Sequence, residues 1–112
     1  MPIRLLHRCR PDSILEFRLA AQQRFQDGRS LARAGRRTAA IYLWGYAAEM
    51  TLKAAYFRLI GFSSAQTITR ADLRGAAANA SLLGFQWVGN LHQLESWAYL
   101  LISTRAATPG LA

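Results

Sequence analysis

Residues 39–57 read Ala-Ala-Ile-Tyr-Leu-Trp-Gly-Tyr-Ala-Ala-Glu-Met-Thr-Leu-Lys-Ala-Ala-Tyr-Phe, and they constrain the fold more than any other part of the chain. As a helix, this stretch is apolar almost all the way round, broken by one opposed pair, Glu49 and Lys53. A surface helix would carry a broad polar face, so a helix of this kind belongs inside a bundle. Glu before Lys at i,i+4 is the favourable order on a helix. The expected fold class is therefore all-α.

The rest of the chain supplies helices to surround it. Pro11, Asp12 and Ser13 form a helix-start signal, with Asp12 or Ser13 as N-cap and Glu16 in the first turn. Ile14, Phe17, Ala21 and Phe25 then recur at the helical period, to about residue 34, with Gly28 as a weak point suited to a bend. Gly35 suits the left-handed position that closes this helix. The apolar helix follows over about 37–60, and so short a connection implies an antiparallel hairpin. Two stripes run along it: Trp44, Ala48, Leu52, Ala55 and Leu59, and Tyr42, Tyr46, Glu49, Lys53 and Tyr56. Thr69 and Asp72 resemble a capping box opening an Ala-rich helix over about 70–82. A glycine-bracketed loop, 84–89, carries Phe85 and Trp87. Asn90 reads as the N-cap of a last helix, with Gln93 at N3 and Leu91, Leu94, Ala98 and Leu101 as its core stripe. The expected architecture is an up-and-down antiparallel bundle of about four helices, a single domain over 1–112. Residues 1–11 and 106–112 are expected to be loosely ordered.

Composition bounds the function. At 112 residues the chain is near the common domain size, and 52% hydrophobic content favours a globular core. The formal charge is +8, and thirteen of the fourteen basic residues are Arg. That balance suits nucleic acid or another anionic partner, and it also suits a plain solvated face. Cys9 is the single cysteine, so no intramolecular disulfide or zinc spacing exists, and an inert thiol is the simplest reading. The N-terminus lacks the apolar stretch of a signal peptide. The apolar run 38–48 falls short of the roughly 20 residues needed to cross a bilayer. A cytoplasmic protein without membrane contact is expected.

Three constellations carry possible chemistry. Glu49 and Lys53 are either a structural ion pair or the polar centre of a buried groove, and the structural reading is preferred. His92, near a helix start, would be kept neutral by the helix dipole and fit to pass a proton. A partly exposed histidine packed on the apolar helix is the preferred reading. Arg24, Arg29, Arg33, Arg36 and Arg37 gather near one end of the hairpin, where phosphate or nucleic-acid binding competes with a solvated basic face. The aromatic residues sit mainly at core-type positions and do not interleave with these arginines as a stacking platform would. There is no phosphate-binding glycine loop, no metal-ligand spacing and no Ser–His–Asp arrangement, so neither metal nor cofactor is expected.

Together these residues resemble the HEPN superfamily (higher eukaryotes and prokaryotes nucleotide-binding domain). The resemblance rests on Ala48, Glu49, Leu52, Lys53 and Ala54 as an Ala-Glu-x-x-Leu-Lys-Ala core, followed by His92, Gln93 and Leu94 as a His-Asp-Leu-like helix start. It spans roughly residues 14–102. It implies an all-α bundle that commonly dimerises. Many members are ribonucleases using an Arg, four to six residues, then His; others lack that motif and accompany nucleotidyltransferases. Here Phe85, Gln86 and Trp87 stand where the Arg would be, and Gln93 replaces the usual acidic residue. The resemblance is thus to a divergent member, short or truncated, since a further C-terminal helix is often present in the family.

The expected function is a non-catalytic HEPN-like binding module. Its implied partners are a second copy of the chain and a nucleotidyltransferase-like protein or toxin–antitoxin component, with RNA or a nucleotide as a further ligand. The alternatives are a metal-independent ribonuclease with His92 and Glu49 as its candidate catalytic residues, and a basic nucleic-acid-binding protein using Arg29, Arg33, Arg36 and Arg37.

Overall fold

The computed structural model describes residues 12–84, 86–87 and 93–107. Among the described residues there are four α-helices and no strand: α1 (Ile14–Arg33), α2 (Arg37–Leu59), α3 (Arg70–Leu82) and α4 (Leu94–Ala107). The protein is an all-α helical bundle.

Local chemistry sets most of the helix ends. Ser13 is the N-cap of α1, and its hydroxyl accepts from the Glu16 backbone N–H at 3.2 Å. Thr69 and Asp72 form the reciprocal capping box of α3, at 3.1 and 2.8 Å. Gly35 and Gly61 follow α1 and α2 with φ of 81° and 102°, a region that L side chains rarely adopt. Two backbone bonds, Leu15 N–H to the Ser64 carbonyl and Ile68 N–H to the Asp12 carbonyl, fasten the start of α1 to the α2–α3 connector.

α2 is the central element. α1 packs antiparallel along it after a three-residue turn, and α4 packs on another side. Ala40, Ala47 and Ala54 are small, buried and spaced seven apart on α2, and Ala47 lies beside Ala21 of α1. The side toward α4 holds the bulk of the core. Trp97 of α4 is fully buried and meets Tyr56 edge-on at 5.8 Å and Phe57 at 6.1 Å. Such aromatic contacts contribute about 0.5–1.5 kcal/mol each beyond area burial. α3 adds Ala76 and Ala80 to this core, and Asn79 Nδ2 donates to the Tyr56 hydroxyl at 2.9 Å.

The structure corrects several details of the expected packing. α1 runs unbroken through Gly28, which is buried under the Trp44 indole. A Cβ there would lie 2.5 Å from Trp44 Nε1. The missing side chain is therefore used for close approach. Phe25, expected in the core, is 47% exposed. The stripe from Trp44 to Leu59 is not the buried one: Trp44 is 37% exposed, Ala48 is exposed and Leu52 is half-buried. Burial falls instead on Met50, Lys53, Tyr56 and Phe57. Tyr42, placed with the second stripe, is 77% exposed. In α4 the buried residues are Ser96, Trp97 and Leu100, not Leu94 and Ala98. Gln93 stands before the helix, its carbonyl accepting from the Trp97 N–H, so it is not the N3 residue. Asn90, Leu91 and Cys9 lie outside the described residues, as do 1–11 and 108–112.

Candidate functional site: a buried ion pair and a basic hairpin groove

Glu49 and Lys53 sit in the middle of the core side of α2. The Lys53 ammonium donates to Glu49 Oε2 at 2.6 Å, and both side chains are more than nine-tenths buried. Lys53 Nζ also lies 5.5 Å from the centre of the Trp97 ring, within cation–π range. The pair is thus wedged between α2 and α4. A lone charge at this depth would be strongly destabilising, and the i,i+4 spacing on one helix supplies its partner without any tertiary search. His92, the third expected member of this polar centre, lies outside the described residues.

Arg29, Arg33, Arg36 and Arg37 are all exposed and all belong to the turn end of the α1–α2 hairpin. Arg29 and Arg33 lie in the last turns of α1, Arg36 is the N-cap of α2 and Arg37 its first residue. α2 opens with no side-chain cap and no acidic residue in its first turn. The partial positive charge of its N-terminus therefore adds to that of the arginines instead of being neutralised. Arg24 departs from the cluster: it is half-buried, with its guanidinium 5.6 Å from the centre of the Tyr46 ring.

Next to the basic turn, α1 and α2 leave an open groove of about 520 Å³. Its floor is Ala21, Ala47 and Ala48, and its aromatic wall is Phe25 and Trp44. The rings of that pair are 6.4 Å apart, and Trp44 Nε1 donates to the Phe25 carbonyl at 3.3 Å. Arg18, Gln22 and Thr51 supply the polar rim, and Thr51 spends its hydroxyl hydrogen on the Ala47 carbonyl at 2.8 Å. Arg18 is the arginine that lines the groove beside these aromatics; Arg29, Arg33, Arg36 and Arg37 are not among its lining residues.

The signal for the groove was present as spacing. Arg18, Gln22, Phe25 and Arg29 follow i, i+4, i+7, i+11 on α1. Arg37, Ile41, Trp44 and Ala48 follow the same steps on α2. Each set is one helix stripe. Only the antiparallel register, which sets Phe25 against Trp44 and Arg18 beside Thr51, makes them one surface.

No group of three or more His, Cys, Asp or Glu among the described residues could hold a metal ion. None of the described helices is long and apolar enough to cross a membrane. Comparison with known families, with characterised proteins and with solved structures finds no match to this chain.

Proposed function

We infer that this chain is a HEPN-like, non-catalytic binding module that presents its basic hairpin turn to an anionic partner. The observation that carries this reading is the gathering of four exposed arginines at one end of the α1–α2 hairpin, reinforced by an uncapped helix N-terminus. None of the four makes an ion pair with a carboxylate of the described residues. The other charged constellation supports the same reading: Glu49 and Lys53 satisfy one another inside the core, a structural task that leaves them little access to a substrate. A nucleotidyltransferase-like protein or a toxin–antitoxin component fits the resemblance as partner. A homodimer also fits it, and the exposure of Leu82, Tyr99 and Ile102 at 84%, 56% and 67% gives apolar surface for one.

The test is retention on an immobilised polyanion, with Arg29, Arg33, Arg36 and Arg37 changed together to Gln. Wild type should elute at high salt, and the variant should elute at distinctly lower salt under the same gradient. Equal elution of the two, with folding unchanged, would remove the basic turn from the function. Metal-free incubation with a mixed RNA pool should give no robust cleavage; cleavage lost in His92→Ala would promote the ribonuclease reading instead. Sedimentation at micromolar concentration should show a dimer.

A further inference from the structure

The geometry points to the α1–α2 groove as a docking site for an acidic amphipathic helix of a protein partner. This rests on the binding-module reading and names the chemistry of what is bound. The groove stripe of α1 from Arg18 to Arg29 is about 16 Å long at 1.5 Å per residue, close to three helical turns. Arg18 lines one end of the groove, and beyond its other end the same two helix stripes continue to Arg29 and Arg37 at the basic turn. Between them the surface is Phe25, Trp44, Ile41 and the three alanines of the floor. None of the six acidic residues lies on either stripe. An occupant must therefore bring apolar side chains to the middle and carboxylates to both ends.

An amphipathic helix meets both demands. Its apolar i, i+3, i+4, i+7 face fits a groove between two helices, and the small floor residues allow close approach. Glu or Asp at its termini would pair with Arg18 and with the turn arginines, which bind carboxylates in a two-pronged geometry. A nucleic-acid strand fits less well. It would place polar base edges against an alanine floor where Gln22 is the main side chain left to answer them, and unanswered polar edges are costly to desolvate. Its phosphates would also want cations along the whole length and not only at the ends.

The experiment is fluorescence anisotropy with three labelled probes. One is a peptide of about 14 residues with Leu on one helical face and Glu elsewhere, long enough to span the groove. The second has the same composition with the period scrambled, and the third is an oligouridine RNA. The first peptide should bind wild type about ten-fold or more tighter than the scrambled one, a difference of about 1.4 kcal/mol. Ala48→Glu, at an exposed floor position, and Gln22→Glu, on the opposite rim, should each remove that preference. Equal binding of the two peptides, or a preference unchanged in both variants, overturns the proposal. RNA binding that both variants abolish overturns it in favour of a nucleic-acid occupant. Polyanion retention by the turn arginines is measured on the same samples, so loss of the groove result with retention intact leaves the binding-module reading standing. Wild type that is not retained, or that elutes with the quadruple arginine variant, removes that reading itself.

Discussion

The sharpest consequences at the residue scale fall on two positions of opposite character. Lys53 is 2% exposed and is paired with Glu49 on its own helix. Glu49→Leu would leave the ammonium with the Trp97 ring as its remaining neighbour of note, and removing one partner of a buried pair costs about 3–5 kcal/mol. Adding Lys53→Met to that variant should recover most of the loss, because two apolar residues of similar volume need no desolvation. Urea denaturation of the two variants checks the order; a double variant as unstable as the single would contradict a purely structural pair. Gly28 is the second position. In Gly28→Ala the new Cβ would collide with the Trp44 indole. Overpacking of this kind costs about 1–3 kcal/mol, against a gain of about 1 kcal/mol from replacing a helical glycine. The expected balance is a loss of stability, with tryptophan emission shifted to the red as the indole leaves its seat between Gly28 and the Phe25 carbonyl.

Among the elements, α2 and α3 begin in contrasting ways. α3 is alanine-rich and contributes few large side chains, so its start depends on the Thr69–Asp72 box. Thr69→Ala should cost about 1 kcal/mol and increase hydrogen exchange at the first amides of α3. α2 starts without such a device, with Arg36 and Arg37 at the positive end of its dipole. Arg36→Asp should therefore raise stability by about 0.3–1 kcal/mol at low salt while weakening polyanion retention. Opposite movement of melting temperature and retention is the signature to look for. A fall in both would mean that Arg36 supports the turn and not the partner.

Over the whole molecule, stability should follow which side of α2 a residue occupies. Trp97→Ala empties the junction of α2 and α4 and should cost about 3–5 kcal/mol. Leu52→Ala, at a half-buried position on the edge of the core, should cost distinctly less. Thermal unfolding of the pair tests whether the core lies where α4 meets α2; equal losses would place it elsewhere. Trp87 belongs to the same region: it is half-buried and stands edge-on to Trp97 at 5.1 Å. Of the two aromatics carried by the glycine-bracketed loop, Trp87 thus packs on its own chain.

Local signals by themselves determined the helices. Ser13, the Thr69–Asp72 box and Gly35 act through neighbours in the chain, so their effects are readable from order alone. The same holds for the Glu49–Lys53 pair, whose geometry is set by the pitch of one helix. What only the tertiary structure decided was which face of α2 is filled. That helix is apolar nearly all round, so its own pattern carries no preferred direction. The choice came from outside it: Trp97 of α4 took the side of Lys53, Tyr56 and Phe57, while α1 settled beside Ala47. Trp44 and Phe25, apolar enough for a core, were thereby left along a groove. Burial is a property of pairs of surfaces, and a sequence states only one surface at a time.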